Sequence, residues 1–280
     1  MKILINYADA LFKKQQRANS LTAKWFGNFD KIISYNEDSL GSEFREKFKE
    51  RLSMSRGGGY WLWKSYLILK TLESLNDGDY LFYCDSGAIF INKIDPLIEV
   101  LERDQQTIMT FELPLIEIQW TNTRCLEEFG TVTDKDLWGN QRLASYILIK
   151  KRPESISFFK EYHELCQKDE INTDQMNDYN RSIYFIDHRH DQSVLSLLAK
   201  KYNLPGYREP SDYGDIPTRY IENNRFLRFK DYANSTYPRI LLANRKAAPI
   251  IYWLKSVIRD LLNAIGSIGS ICGFVEKRSR

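Results

Sequence analysis

Cysteine is scarce in this sequence of 280 residues, which contains only Cys84, Cys125, Cys166 and Cys272. No two of them form a CxxC pair, and none has the zinc-site spacing to a histidine. A disulfide scaffold and a zinc finger are therefore excluded. Scattered thiols are typical of a reducing compartment, and Cys84, which ends an apolar run, is predicted to be buried.

Long hydrophobic runs are also missing. No window of about 20 uncharged apolar residues is present, so we expect no membrane-spanning helix. The apolar stretch in the first residues is interrupted by Asn6 and Asp9 and is too short for the hydrophobic region of a signal peptide. A cytoplasmic protein is therefore the expectation.

Neither sign of charge dominates, since 40 Lys and Arg residues face 37 Asp and Glu residues and give a net charge of +3. A dedicated nucleic-acid-binding protein is usually more basic, with clustered cations, so we expect no nucleic-acid partner. The hydrophobic fraction of 43% and the aromatic fraction of 14% exclude a disordered chain and a collagen.

What is present is an alternation of strand and helix patterns, which predicts an α/β fold with a mainly parallel sheet. The continuous apolar run YLFYC at 80–84 is typical of a central parallel strand. Residues 203–247 predict long, partly irregular segments that complete a cleft. The other predicted strands are at 2–7, 30–35, 88–91, 107–111 and 145–150. Helices are predicted at 42–52, at 153–166 and from Tyr60, the last with Leu62, Tyr66, Leu69 and Leu72 on one apolar face. Two more helices are predicted to begin at Asp95 and at Asp191, each of which would be the N-cap.

The C-terminal residues have a different pattern, and we predict one domain over 1–247 with an amphipathic, basic extension over 248–280. Ile250, Leu254 and Val257 share one helical face with further apolar residues, and the chain ends in basic residues. Two interpretations stay open for this extension. It is either a helix docked on the domain or an interfacial helix on an anionic membrane surface.

Three motifs could carry chemistry. Asp85-Ser86-Gly87 follows the predicted strand 80–84, where open α/β sheets bind ligands, and a carboxylate there suits a hard divalent cation. Arg56-Gly57-Gly58-Gly59 precedes a helix whose free N–H groups could bind an anion, with Arg56 and Lys64 adding positive charge. Asp187–Ser193 holds two of the three histidines, and His190 or Asp191 is a candidate metal ligand, substrate contact or base. Each motif also has a purely structural interpretation as a turn, a linker or a helix cap.

Three motifs, in their order along the chain, resemble those of one family. They are RGGGYWLWK at 56–64, an apolar strand followed by DSG at 85–87, and HRHDQSVLSLL at 188–198. They are similar to the bacterial GT-A-type glycosyltransferases of capsule, O-antigen and lipooligosaccharide biosynthesis. FGNFDKIISYNEDSL at 26–40 is similar too, and the resemblance covers most of residues 1–200. It implies a Rossmann-like GT-A fold that binds a nucleotide sugar.

The resemblance also assigns roles to individual residues. The DxD-type motif of the family falls on Asp85, Ser86 and Gly87, where Mn²⁺ or Mg²⁺ would meet the donor diphosphate. Gly87 replaces the second acid, which leaves strict metal dependence open, and His190 or Asp191 is the candidate for the missing ligand. Tyr7 would stack on the donor base.

Further donor contacts are implied. Gln141 would touch the donor sugar or the acceptor, Arg245 would contact the diphosphate, and Arg56 and Lys64 would add positive charge on the diphosphate side.

The implied activity is transfer of a hexose-like residue from a UDP- or GDP-sugar to a hydroxyl of a surface glycan. Such acceptors are commonly lipid-linked, which would place the protein at the inner face of the cytoplasmic membrane. In an inverting enzyme Asp191 would be the general base; a retaining enzyme would not need it. The alternative is a non-catalytic sugar-binding or glycan-assembly protein on a degenerate transferase fold.

Overall fold

The fold is organised around a central sheet, which in the described part of the chain has six strands in the order β2-β1-β3-β6-β5-β7. The structure is a computed structural model that describes residues 1–130, 132–179, 181–243 and 258. The strands are β1 (Lys2–Tyr7), β2 (Lys31–Tyr35), β3 (Tyr80–Cys84), β4 (Ala88–Phe90), β5 (Ile108–Ile116), β6 (Asn140–Lys150), β7 (Gly206–Arg208) and β8 (Leu241–Ala243).

Helices cover both faces of this sheet. Among the residues that the structure describes, none of the helices combines the length and the apolar character that a membrane span needs. The helices are α1 (Lys13–Thr22), α2 (Ser42–Lys47), α3 (Lys49–Leu52), α4 (Gly57–Tyr60), α5 (Leu62–Ser74), α6 (Asp95–Arg103), α7 (Thr123–Glu128), α8 (Asp134–Leu137), α9 (Pro153–Cys166), α10 (Asp169–Asn172), α11 (Asp191–Lys201) and α12 (Asp212–Asp215). A π-helical turn follows α1 at Ala23–Gly27, and 3-10 turns lie at Glu37–Ser39, Glu117–Gln119 and Pro217–Tyr220.

The predicted α/β class and the mainly parallel sheet are confirmed. β1 pairs in parallel with β2 and β3, and β5 pairs in parallel with β7. The exception is β6, which runs antiparallel to both β3 and β5. The short β4 and β8 form a separate antiparallel pair, which is how the irregular C-terminal part of the predicted domain is tied to the segment after β3.

Two apolar layers enclose the sheet because alternate strand residues point to opposite faces. On one face Ile3, Ile5 and Tyr83 pack with α5, α9 and α11. On the other face Leu4 and Phe82 pack with α6 and with β4. Cys84 is fully buried, as predicted.

Strands β5 and β6 are longer than predicted. The sequence indicated 107–111 and 145–150, whereas β5 continues to Ile116 and β6 begins at Asn140. The added parts contain charged residues that pair across the strands, with Arg142 Nη1 and Glu112 Oε1 3.2 Å apart. Because these buried residues are charged, the strand ends that carry them do not form apolar runs in the sequence.

Helix boundaries also needed correction. The predicted helix 42–52 is interrupted at Phe48, whose backbone angles are not helical. Asp95 does not cap its helix: Ile94 is the N-cap, and the Asp95 carboxylate accepts hydrogen bonds from Lys2 and Asn28.

The apolar face predicted for α5 is too narrow. Tyr66 and Leu69 are only partly buried, whereas Trp63, Lys64 and Leu67 are buried. The helix therefore lies in the core over a wider arc that includes a lysine.

The predicted C-terminal extension over 248–280 and Arg245 lie outside the described residues, apart from Ile258. Residues Met1–Ala243 form one compact unit.

Candidate active site

Asp85 lies at the end of β3, where the parallel strands present their carboxyl ends to the cleft. Its backbone N–H donates to the carbonyl of Ser145 on β6 at 2.8 Å, which fixes the position of the residue. The Tyr83 hydroxyl donates to Oδ1 of Asp85 at 2.6 Å. The carboxylate is still 30% exposed, so it is held on one side and open on the other.

Lys64 reaches this carboxylate from α5. Its ammonium lies 2.7 Å from Oδ2 of Asp191 and 3.8 Å from Oδ1 of Asp85, and it donates to the carbonyl of Ala144 at 3.3 Å. Burial alone would lower the pKa of Lys64, but the two carboxylates outweigh it and the pKa is raised. The site therefore holds a fixed positive charge behind Asp85.

Asp191 is the nearer of the two carboxylates that contact Lys64, and it is buried. Its side chain is only 4% exposed, and burial raises its pKa against the opposing effect of Lys64. The Tyr162 hydroxyl lies 3.3 Å from Oδ2. The predicted N-cap role was wrong: His190 is the N-cap of α11, and the Asp191 side chain turns inward to Lys64.

The short segment α4 and Trp61 together form a left-handed turn, and this turn sets the start of α5. Gly57, Gly58, Gly59, Tyr60 and Trp61 all have positive φ, so the helix begins at Leu62 and not at the predicted Tyr60. A Cβ on Gly59 would lie 2.8 Å from the carbonyl oxygen of Arg51, so only glycine fits there.

Two of the three glycines predicted to form an anion cradle use their N–H groups inside the turn. Gly58 donates to the carbonyl of Ser55, and Gly59 donates to the carbonyl of Met54 at 2.9 Å. The turn instead positions Lys64, one helical turn further on.

Arg56 lies on a different contact network from Asp85. Its guanidinium pairs with Asp174 at 3.0 Å and with Asp187 at 2.6 Å. These two carboxylates raise its pKa even though burial opposes the shift. Arg56 thus links the loop residues Asp174 and Asp187 to the start of the glycine turn. Neither of its ion pairs involves Asp85.

The contacts of His190 are with residues other than Asp85. Its buried ring packs against Tyr60 and Trp61, and Nδ1 lies 3.2 Å from the carbonyl oxygen of Asn172. Burial lowers its pKa to about 2, so the imidazole is neutral. Its Nε2 has no hydrogen-bond partner among the described residues and lies 3.8 Å from Oδ1 of Asp174.

The predicted metal site depends on which side chains could serve as ligands beside Asp85. Over 1–130, 132–179 and 181–243, no three His, Cys, Asp or Glu side chains are grouped as metal ligands. Tyr83 and Lys64 both approach Oδ1 of Asp85, which leaves Oδ2 for a ligand. A single exposed carboxylate fits an ion such as Mg²⁺, which proteins hold through one or two carboxylates while substrate phosphates and water complete its shell.

Ser86 and Tyr7 meet beside Asp85. The Ser86 hydroxyl donates to the carbonyl of Tyr7 at 2.6 Å, which joins the ends of β1 and β3. The Tyr7 ring stacks on Trp63 with 3.8 Å between ring centroids. Burial raises the pKa of Tyr7, so its hydroxyl stays protonated.

Gln141 is fully buried and belongs to a polar network behind the site. Its Nε2 donates to Oε1 of Glu117 at 3.1 Å, and its Oε1 accepts from Gln192 at 2.9 Å. Glu117, which is also buried, pairs with Lys200 at 2.7 Å. Through this network α11 is held to β6.

Sequence reasoning missed four residues of the site and its network: Tyr83, Tyr162, Glu117 and Gln192. Tyr83 and Tyr162 look like ordinary core aromatics in the sequence, and only the fold shows their hydroxyls on carboxylates. Gln192, next to Asp191, was the one residue that its position could have indicated. Its Oε1 accepts from the N–H of Ala144 at 3.4 Å, while the carbonyl of the same residue accepts from Lys64.

No protein-family model and no curated protein sequence matches the chain. Solved structures to which the chain is similar include mouse xyloside xylosyltransferase 1 in its apo form, with 10% identity, a TM-score of 0.45 and coverage of 89% of this chain and 100% of that chain. The galactosyltransferase LgtC in complex with donor and acceptor sugar analogs has 13% identity, a TM-score of 0.47 and coverage of 89% and 88%. The apo form of the glycosyltransferase GlyE of Streptococcus pneumoniae TIGR4 has 14% identity, a TM-score of 0.40 and coverage of 88% and 54%.

Proposed function

We propose that the chain is a nucleotide-sugar-dependent hexosyltransferase. It would move a sugar from a UDP- or GDP-sugar to a hydroxyl of a bacterial surface glycan, such as a capsule, an O-antigen or a lipooligosaccharide. The observation that supports this most is Asp85, a partly exposed carboxylate at the carboxyl end of β3 with the Lys64 ammonium 3.8 Å behind it. The motif resemblance over residues 1–200 supports the donor class.

Asp85 is the proposed metal ligand on the donor side. A bound Mn²⁺ or Mg²⁺ would supply Lewis-acid stabilisation of the leaving diphosphate. Tyr83 holds Oδ1 of Asp85 through a hydrogen bond, so Oδ2 is the oxygen that would bind the ion. Lys64 is proposed to add positive charge on the diphosphate side from its buried position, where Asp191 holds the ammonium in place.

Asp191 is proposed to position Lys64. The burial of its carboxylate and its 2.7 Å contact to the ammonium favour this role over that of a base at the acceptor hydroxyl. His190 supports the same segment by packing against Tyr60 and Trp61.

The donor nucleoside is proposed to lie beside Tyr7 and Ser86, at the ends of β1 and β3. The Tyr7 ring is already held flat against Trp63, so stacking a base on it would need little reordering. Gln141 is proposed to act through its hydrogen bond to Gln192, because it is itself fully buried. Arg56 and Arg245 are proposed to contribute positive charge to the binding of the donor diphosphate.

The test is donor hydrolysis by the purified chain over a panel of UDP-, GDP-, CMP- and TDP-sugars with Mn²⁺, with Mg²⁺ and with EDTA. The proposal expects slow nucleotide release from one donor class and its loss in EDTA. Release that survives EDTA would remove the metal from Asp85 but keep the transferase. An absence of both release and nucleotide binding across the panel would favour the non-catalytic alternative.

A further inference from the structure

Helix α1 and the π-helical turn after it have an inverted distribution of side chains. The buried side of this segment carries Gln16, Asn19, Ala23 and Gly27. Most helices of a globular protein bury an apolar face and expose a polar one. Here polar groups anchor the inner side, and the large apolar side chains of the segment face outward.

The inner anchors are specific hydrogen bonds to the sheet. The Asn19 amide donates to the carbonyl of Ala88 at 2.8 Å and to Sγ of Cys84 at 3.3 Å. The Gln16 amide donates to the carbonyl of Tyr35 at 2.7 Å. The helix is therefore fixed against the strand ends on both sides of Asp85, and its outer side is available to a partner.

The outer side presents exposed apolar side chains. Leu21 is 46% exposed, Trp25 63% and Phe26 47%. Just before the helix, Leu11 and Phe12 are exposed as well. Single exposed apolar residues are common, but five within one short segment mark an interaction surface.

Four cations share this outer side: Lys13, Lys14, Arg17 and Lys24 are all exposed. Residues 10–29 contain no Asp or Glu. Within the described residues, none of the four takes part in an ion pair. The segment is thus an uncompensated patch of four positive charges in a chain whose overall charge is nearly balanced.

We propose that this α1 surface binds an anionic lipid bilayer. Cations interleaved with Trp, Phe and Leu are the composition of helices that lie in a membrane interface, with rings in the headgroup region and Lys or Arg near lipid phosphates. Because Asn19 bonds the residues on both sides of Asp85-Ser86-Gly87, docking of α1 would bring the candidate site close to the membrane. On the proposed function, that places it near a lipid-linked acceptor.

The test is cosedimentation of the full chain with vesicles of phosphatidylglycerol mixed with phosphatidylcholine, and with vesicles of phosphatidylcholine alone. We expect binding to the anionic vesicles that weakens with added salt. Lys14→Gln, Arg17→Gln and Lys24→Gln should each weaken it by about fivefold, the effect of one cation near an anionic surface. Trp25→Ser with Phe26→Ser should also weaken it.

The matched controls are Lys49→Gln and Lys135→Gln for charge and Ile183→Ser for apolar exposure, since all three residues are exposed elsewhere. Thermal unfolding followed by circular dichroism should be unchanged in every variant. Vesicle binding that is absent from the wild-type chain, or that survives the α1 substitutions, would overturn the proposal. So would α1-dependent binding of nucleic acid in place of vesicles, or α1-dependent self-association.

Donor hydrolysis without lipid separates this proposal from the proposed function. The α1 variants should keep wild-type hydrolysis, because the substituted side chains are exposed and have no role in the candidate site. If hydrolysis is absent while vesicle binding depends on α1, the transferase proposal fails and the surface stands.

Discussion

Lys64 and Asp191 form an ion pair inside the protein, with 2.7 Å between Nζ and Oδ2 and side chains only 3% and 4% exposed. They come from α5 and α11, which lie far apart in the sequence. Desolvating two charges is costly, and the attraction offsets that cost only while both partners are present. The pair therefore joins two helices and also fixes the charge behind Asp85.

Removal of one partner should be strongly destabilising. Lys64→Met leaves the Asp191 carboxylate buried without its cation, and we expect a loss of about 3–5 kcal/mol in the free energy of unfolding. Asp191→Leu should also destabilise, and Lys64→Met with Asp191→Leu should lose less than the sum of these two single losses. Urea unfolding checks this cycle, and additive losses would contradict the coupling.

Gly59 should tolerate no side chain. In Gly59→Ala the new Cβ meets the Arg51 carbonyl at φ of +91°, so we expect a loss of more than about 2 kcal/mol from left-handed strain and overpacking together. Gly130→Ala is the control, because its φ is also positive but no atom of the part of the chain that the structure describes lies within 4 Å of its added Cβ. Equal urea midpoints for the two variants would show that the turn before α5 yields easily.

Stability should decrease below neutral pH because of the histidines. Burial lowers the pKa of His163 to about 4, below the ordinary value of 6.5. Between these values the unfolded chain binds the proton and the folded chain does not, so the free energy of unfolding falls as pH falls from 6.5 toward 4. The slope from one such group is at most about 1.4 kcal/mol per pH unit.

His163→Gln tests this directly. Urea unfolding at pH 7 and pH 5 should show a smaller decrease for the variant than for the wild-type chain. Glu154→Gln, on the same helix α9, is the control and should keep the wild-type decrease. An unchanged decrease in His163→Gln would mean that the histidine is accessible to protons in the folded chain.

The sequence predicted best where burial is apolar. β1, β3 and α9 have the boundaries that their apolar runs indicate. The ends of β5 and β6 were missed because Glu112 and Arg142 are charged and become buried only in the folded chain, where they pair with each other. A pattern search reads each of these residues as exposed, and only the pairing of the two strands shows otherwise.

The site was predicted in part for the same reason. Asp85 could be located because it ends an apolar strand, and Lys64 because it stands in an unusual motif. Their contact depends on the left-handed turn at 57–61, which includes Tyr60 and Trp61, residues that rarely adopt positive φ. No local pattern predicts that turn, and none shows that Asp191 would face Lys64 instead of capping α11.

The central claim is that Asp85 holds the donor side of a glycosyl transfer, and Asp85→Asn tests it most directly. The amide keeps the size of the side chain and can still accept from Tyr83, so the fold should remain while the charge is lost. Asp77→Asn, an exposed acid before β3 and so at the opposite end of the strand from Asp85, is the control. The measurement is the rate of nucleotide release from the active donor at saturating Mn²⁺. A drop of about 100-fold or more in Asp85→Asn, with Asp77→Asn unchanged, is the predicted result. A wild-type rate in a folded Asp85→Asn would contradict the account.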